Sequence, residues 1–303
     1  MVKAINLGVR AHDVGLEELP SYFSERAIET LADRVMSKGF GAVQFTMEDV
    51  FTEVKPFQLN QGMAWKLRKA FESRGIQIAI LSCYKNLIHP DPEERKKELG
   101  CFRRYLEFCR ELGCSYVATE TGSKNINYSF HPDNHSPKAM EELLESLNQM
   151  LSWAKDLGVG IAIEGVSMFP ARSPEVIKMI LDCINSACLH IILDPVNLLE
   201  PAVCGAPEAV GEEIRQQYIN IAGKSFNLFG DAIVAVHLKD VRINNGKWTN
   251  VPIGIGLAPF EFLIKLVMDR KPYLPLIMEE QNSLTMDDSI NLIKGLVPGS
   301  DEQ

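Results

Sequence analysis

Short runs of β-branched and apolar residues alternate along this chain with longer stretches whose apolar residues recur every three or four positions. The short runs predict strands over 4–9, 41–46, 77–82, 116–120, 160–164, 190–194, 233–238 and 276–279. Most of them, such as IAIE, HIILD, IVAVHL and PLIME, are nearly unbroken in apolar residues, the pattern of parallel strands covered on both faces. The intervening stretches AIETLADRVMSKG, PEERKKELGCFRRYLEFCRELG, MEELLESLNQMLSWAKDLG and PEVIKMILDCIN predict amphipathic helices. Gly39, Gly75, Gly113 and Gly158 stand where a left-handed residue stops a helix. Ser24, Ser136 and Ser173 stand at N-cap positions, with Pro137 and Pro174 in the first turn.

Eight βα units without a Pro/Gly/Ser-rich linker predict an α/β fold closed as a single (β/α)8 TIM barrel over 1–298, followed by a polar tail at 299–303. A doubly wound sheet has the same alternation and is the alternative. The first βα turn, LGVRAHDVG, lacks the GxGxxG of dinucleotide folds, which weighs against it. A length of 303 residues also sits close to the roughly 250 of a single α/β barrel.

Composition narrows the partners. A net charge of −9 argues against a protein that grips phosphate backbones, so no nucleic-acid partner is expected. Seven cysteines (Cys83, Cys101, Cys109, Cys114, Cys183, Cys188 and Cys204) with no CxxC pair fit reduced thiols better than a disulfide framework. The N-terminal MVKAINLGVRAHD lacks the apolar core of a signal peptide. No run approaches the ~18 consecutive apolar residues of a membrane span. The expectation is a soluble, cytoplasmic protein with no membrane partner.

Active sites of α/β barrels lie at the C-terminal ends of the strands. Here strand five ends in Glu164, strand six in Asp194, strand seven in His237, and strand eight in Glu279 followed by Glu280. Taken singly, a strand-end Asp is often a helix N-cap and an inward His a satisfied core residue. Taken together, three carboxylates buried at one rim require a compensating cation. One divalent metal ion, Mn2+, Mg2+, Co2+ or Zn2+, suits this mixed oxygen and nitrogen set.

The series IAIEG, ILDPVN, VHLKD and IMEEQ, with PIGIG between the last two, resembles the sugar phosphate isomerase/epimerase family. That family lies within the xylose isomerase-like TIM barrel superfamily, which also contains the endonuclease IV class. The resemblance is firmest from Gly158 to Gln281. It implies that Glu164, Asp194, His237 and Glu279 bind one metal ion, and that Glu164 and Glu279 flank the substrate as catalytic proton-transfer groups. Glu280 is the alternative on strand eight; Glu279 is preferred because it keeps the alternation with Ile277. The implied activity is isomerisation or epimerisation of a ketose or keto-sugar through a metal-stabilised enediolate, with a small-molecule carbohydrate as partner. Dimers and tetramers are common among such relatives, so a homo-oligomer is compatible, although no segment reads as an interface.

The departures carry information. Strand six continues as Asp194-Pro-Val-Asn197 where many relatives have Asp-x-x-His, and Asn197 can orient a substrate hydroxyl but cannot carry a proton. The Gly254-Ile-Gly256 loop runs into Pro259 rather than an acidic residue. It reads as a tight turn, with backbone N–H groups facing an anionic or hydroxylated substrate as the alternative. Glu120-Thr121-Gly122 and Trp248-Thr249-Asn250 stand where endonuclease-type members carry further ligands, so a repair nuclease is not expected. Lys239 can stabilise an enolate or bind a carboxylate, or be a solvated lysine. Glu120, Arg10, His12 and Tyr84 are further substrate-binding candidates, each with a structural alternative. Asn197 and Lys239 together make a metal-dependent lyase of a keto-sugar acid, decarboxylase or dehydratase, the runner-up. A non-catalytic sugar-binding barrel is the third reading.

Overall fold

The computed structural model describes residues 5–200, 207–244, 247–282 and 284–297. Strands β1 (Asn6–Arg10), β2 (Ala42–Thr46), β3 (Gln77–Ser82), β4 (Tyr116–Glu120), β5 (Gly160–Glu164), β6 (Leu189–Leu193) and β7 (Ile233–Leu238) fall where the apolar runs predict them. β7 is followed by an unpredicted antiparallel hairpin, β8 (Asp240–Asn244) and β9 (Lys247–Val251). The eighth barrel strand is therefore β10 (Pro275–Met278). The barrel closes in the order β1-β10-β7-β6-β5-β4-β3-β2, and every pairing within it is parallel.

The helices α1 (Glu25–Ser37), α2 (Met47–Val50), α3 (Gln61–Glu72), α4 (Pro92–Leu112), α5 (Pro137–Leu157), α6 (Pro174–Ile184), α7 (Pro207–Phe229), α8 (Phe260–Arg270) and α9 (Met286–Gly295) interleave with the strands. The predicted caps are in place. Ser24, Ser136 and Ser173 accept hydrogen bonds from the backbone N–H groups of Ala27, Ala139 and Val176; each such cap stabilises by about 1 kcal/mol. Gly113 and Gly158 end α4 and α5 at φ 75° and 67°, a conformation in which a Cβ would strain the backbone.

Two layers of apolar side chains divide the strands' faces. Outward residues such as Phe45, Ile161, Ile163, Ile191, Leu193, Val236 and Leu276 join the large core beneath the helices. Inward residues form a second, smaller cluster of Ala42, Ala79, Ile80, Ala118, Ala162, Ile192, Ala235 and Ile277. This is the floor of the barrel, and its alanines leave room for close packing. Gly8 completes it on β1, because a Cβ there would meet Ile277 Cδ1 at 2.7 Å and the Ala42 carbonyl oxygen at 2.8 Å.

Among the described residues no helix is long and apolar enough to cross a membrane. The six described cysteines carry free thiols; Cys204 and the tail predicted at 299–303 lie outside the described residues.

Candidate metal centre and active site

The strand period of two dictates what lies above the floor. Two residues beyond each floor position the chain presents Arg10, Gln44, Ser82, Glu120, Glu164, Asp194, His237 and Glu279. Every barrel strand thus ends its inward face in a polar side chain. Their convergence is the candidate site.

His237 stands at its centre, fully buried, and Glu164, Asp194 and Glu279 are at most 3% exposed. His237 Nδ1 lies 3.3 Å from Glu164 Oε1, 3.2 Å from Glu279 Oε1 and 3.9 Å from Asp194 Oδ2. The opposite ring nitrogen, Nε2, is 2.8 Å from Gln44 Oε1. A side-chain carbonyl oxygen can only accept, so Nε2 carries a hydrogen in this pair. Gln44 is itself oriented by donating to the Tyr84 hydroxyl at 3.1 Å. This leaves Nδ1 facing the carboxylates.

Two of the carboxylates are held by hydrogen bonds to one oxygen. Asp194 Oδ1 accepts from the backbone N–H groups of Val196 and Asn197 at 2.8 and 3.1 Å. Glu164 Oε1 accepts from Asn197 Nδ2 at 2.6 Å. Asp194 Oδ2 is buried with no hydrogen-bond partner, and the buried His237 Nδ1 faces only the carboxylates of Glu164, Glu279 and Asp194. A buried orphan of this kind is costly, on the order of 1–3 kcal/mol, unless something binds it. Donor atoms of Glu164, Asp194 and His237 all lie within 4.8 Å of one another, a spacing that a metal ion could bridge. Glu279 shares His237 Nδ1 from the β10 side and also lies 3.9 Å from Arg10. Oxygen, oxygen, nitrogen and oxygen donors of this size fit a divalent cation.

Electrostatics points the same way. Burial pulls the His237 imidazole down, but the charges of Glu279 and Glu164 win and push it up to about 9. Burial pushes Asp194 up to about 6 against the pull of Lys239. Glu279 is brought below its ordinary range: burial works against this, and His237 and Arg10 overcome it. Burial, reinforced by the charge of Glu164, pushes Glu120 up to about 8, so that its carboxyl is largely protonated at neutral pH. The shift of His237 reports the negative charge gathered around it, while those of Asp194 and Glu120 report chiefly burial.

The remaining predicted residues divide. Lys239 points inward, 3.1 Å from Asn197 Oδ1 and 3.9 and 3.8 Å from Asp194 and Glu279; it is not a solvated lysine. Tyr84 and Glu120 line the same chamber, sensing the charges of Glu164 and Glu279. Arg10 is tied to Asp13 and Glu280 at 3.1 and 3.0 Å. His12 sits beside Asp13 and Asp49 at 3.5 and 3.6 Å. Glu280 adopts φ 55° and turns its side chain to Arg10, which leaves Glu279 as the inward carboxylate of β10. Sequence reading missed Gln44. The signal was present: a glutamine within the buried strand AVQFT, in register with Arg10.

A closed parallel barrel with a buried carboxylate–imidazole cluster above an apolar floor defines the class. A family model described as xylose isomerase-like TIM barrel matches residues 32–296, and the chain belongs to that family. Among solved structures it is similar to a D-tagatose 3-epimerase-like protein at 17% identity and TM-score 0.71, covering 98% of this chain and 99% of that one. It is similar to a probable 3-DHS dehydratase from Bacillus anthracis at 12% and 0.69, covering 96% and 99%. A xylose isomerase-like TIM barrel protein from Mycobacterium smegmatis, in complex with magnesium, matches at 13% and 0.64, covering 98% and 97%. At these identities the likeness shows the shared fold.

Proposed function

We propose that the protein is a divalent-metal-dependent isomerase or epimerase of a ketose or keto-sugar. The observation that carries this reading is the buried cluster in which His237 Nδ1 faces the carboxylates of Glu164 and Glu279 beside Asp194 Oδ2, an acceptor with no hydrogen-bond partner. Glu164, Asp194, His237 and Glu279 would hold the ion. When bound, it would supply Lewis acidity toward a carbonyl and its neighbouring hydroxyl. The names of the epimerase-like and magnesium-bound neighbours support the same reading.

The protein's own groups handle the protons. Glu164 and Glu279 approach His237 Nδ1 from two different strands at nearly equal distance. One carboxylate can take the proton from the carbon next to the carbonyl, and the other can return one from the opposite side. Return to the opposite face gives epimerisation, and return to the adjacent carbon gives aldose–ketose isomerisation. Asn197 Nδ2 holds Glu164 Oε1 and so fixes the plane of that carboxylate. The Lys239 ammonium, kept above its ordinary range by Asp194 and Glu279 in spite of burial, stands ready for an oxygen that gains negative charge. Glu120, largely protonated, can donate to a sugar hydroxyl.

A lyase acting on a keto-sugar acid is the second reading, favoured by the Lys239–Asn197 pair where a proton-carrying histidine would otherwise stand, and in keeping with the dehydratase neighbour. Incubation of the metal-loaded protein in deuterated water with a panel of ketoses and keto-sugar acids separates them. Deuterium entry into a ketose is expected. Release of CO2 or water from the acids, with no exchange into any ketose, would transfer the assignment to the lyase. Equal metal content in the wild type and a Glu164→Gln/Glu279→Gln double variant would reject the site itself.

A further inference from the structure

Where α/β barrels hold a phosphate group, the loops after the seventh and eighth strands and a nearby helix N-terminus supply the backbone N–H donors. In this chain the loop at 252–258, between β9 and α8, is closed on a side chain of its own. Asp240, next to Lys239, is 1% exposed. Its Oδ2 accepts from the backbone N–H groups of Gly254 at 2.9 Å and Gly256 at 2.8 Å. Its Oδ1 accepts from Val241 at 2.9 Å and Ala258 at 3.0 Å. A Cβ on Gly256 would collide with this carboxylate, so glycine is required there by close approach.

Four N–H groups converging on one anion form a nest of the kind that binds phosphate oxygens. Here the anion is covalently part of the chain. Of the cations that flank Asp240 in sequence, Lys239 turns inward to Asn197, and Arg242 Nε donates to the Ile255 carbonyl oxygen, bracing the same loop. A phosphate brought to this loop would meet the Asp240 charge and find its donors taken.

We propose that Asp240 is a specificity-determining residue, whose carboxylate occupies the barrel's phosphate nest and restricts the site to substrates without a phosphate group at this loop. The word substrate rests on the sugar reading above; the occupied nest does not. The test uses the full chain with glycine-selective 15N labelling, titrated with inorganic phosphate at millimolar concentration while the Gly254 and Gly256 amides are followed by NMR. In the wild type these amides are expected to show no saturable shift. Asp240→Gly removes the carboxylate and is expected to gain one. A saturable shift in the wild type overturns the proposal, as does a folded Asp240→Gly protein whose loop amides stay silent. Should Asp240→Gly fail to fold by circular dichroism, Asp240→Ser takes its place and the wild-type titration still decides. The readout needs neither metal nor turnover, so failure of the isomerase reading would leave this result standing.

Discussion

Uptake of a metal ion by this site should release protons, in a number set by pH. In the metal-free protein His237 is held up to about 9, burial being outweighed by the charges of Glu279 and Glu164. A histidine must be neutral to coordinate. At pH 7 the imidazolium outnumbers the imidazole by about two powers of ten, so displacing its proton costs about 3 kcal/mol at roughly 1.4 kcal/mol per pH unit. Apparent affinity for Mn2+ should then rise about tenfold per unit between pH 7 and 8.5 and level off above 9. Asp194 stands at about 6, so in more acidic buffer a second proton must leave and the dependence steepens. Stability follows the same logic. A folded-state pKa raised above the unfolded value gives His237 a stabilising contribution that is present below the unfolded value and lost as pH rises through about 9. The gain in Tm on adding metal should grow across that interval. Titration calorimetry with Mn2+ in buffers of different ionisation enthalpy counts the protons, and thermal melts with metal or EDTA give the second curve. Tight binding at pH 7.5 with no proton release would refute the reasoning and remove His237 Nδ1 from the ligand set.

Two further substitutions probe the supports of the site. Gln44→Leu deprives His237 Nε2–H of its acceptor; metal affinity should fall by about 10–100-fold, with partial recovery in Gln44→Glu, measured by Mn2+ electron paramagnetic resonance. Gly8→Ala forces a Cβ against Ile277 and Ala42 and should lower unfolding free energy by about 1–3 kcal/mol in urea, while a barrel that tolerates it unchanged would contradict the close approach on β1.

The barrel and the positions of most candidate site residues were legible because they follow from a strand's period of two. Glu164, Asp194, His237 and Glu279 each terminate an apolar run, and polar residues at such boundaries stand out. Gln44 did not stand out, since its strand is buried throughout and a single glutamine within it reads as noise until β1 and β2 are set in register. The hairpin has one strong sequence signal, the turn pair Asn245-Gly246, but the alternation on either side of it is too short to stand out. The glycine loop could be read locally in two ways, as a turn or as an anion cradle. Only the long-range approach of Asp240 resolves it, because the carboxylate takes the N–H groups for itself. The ion pairs of Arg10 show the same limit: Asp13 is near in sequence, but Glu280 reaches it only across the closed seam of the barrel.

The alanine-lined floor has a bearing on isotope bookkeeping. With Ala42, Ala79, Ala118, Ala162 and Ala235 sealing the barrel below the carboxylates, a hydron lifted from a bound molecule has no aqueous exit underneath. It can be handed back or leave on the side away from the floor. A chamber open at one end favours internal return, so label taken from one carbon should reappear in part on the product rather than wash out wholly into the solvent.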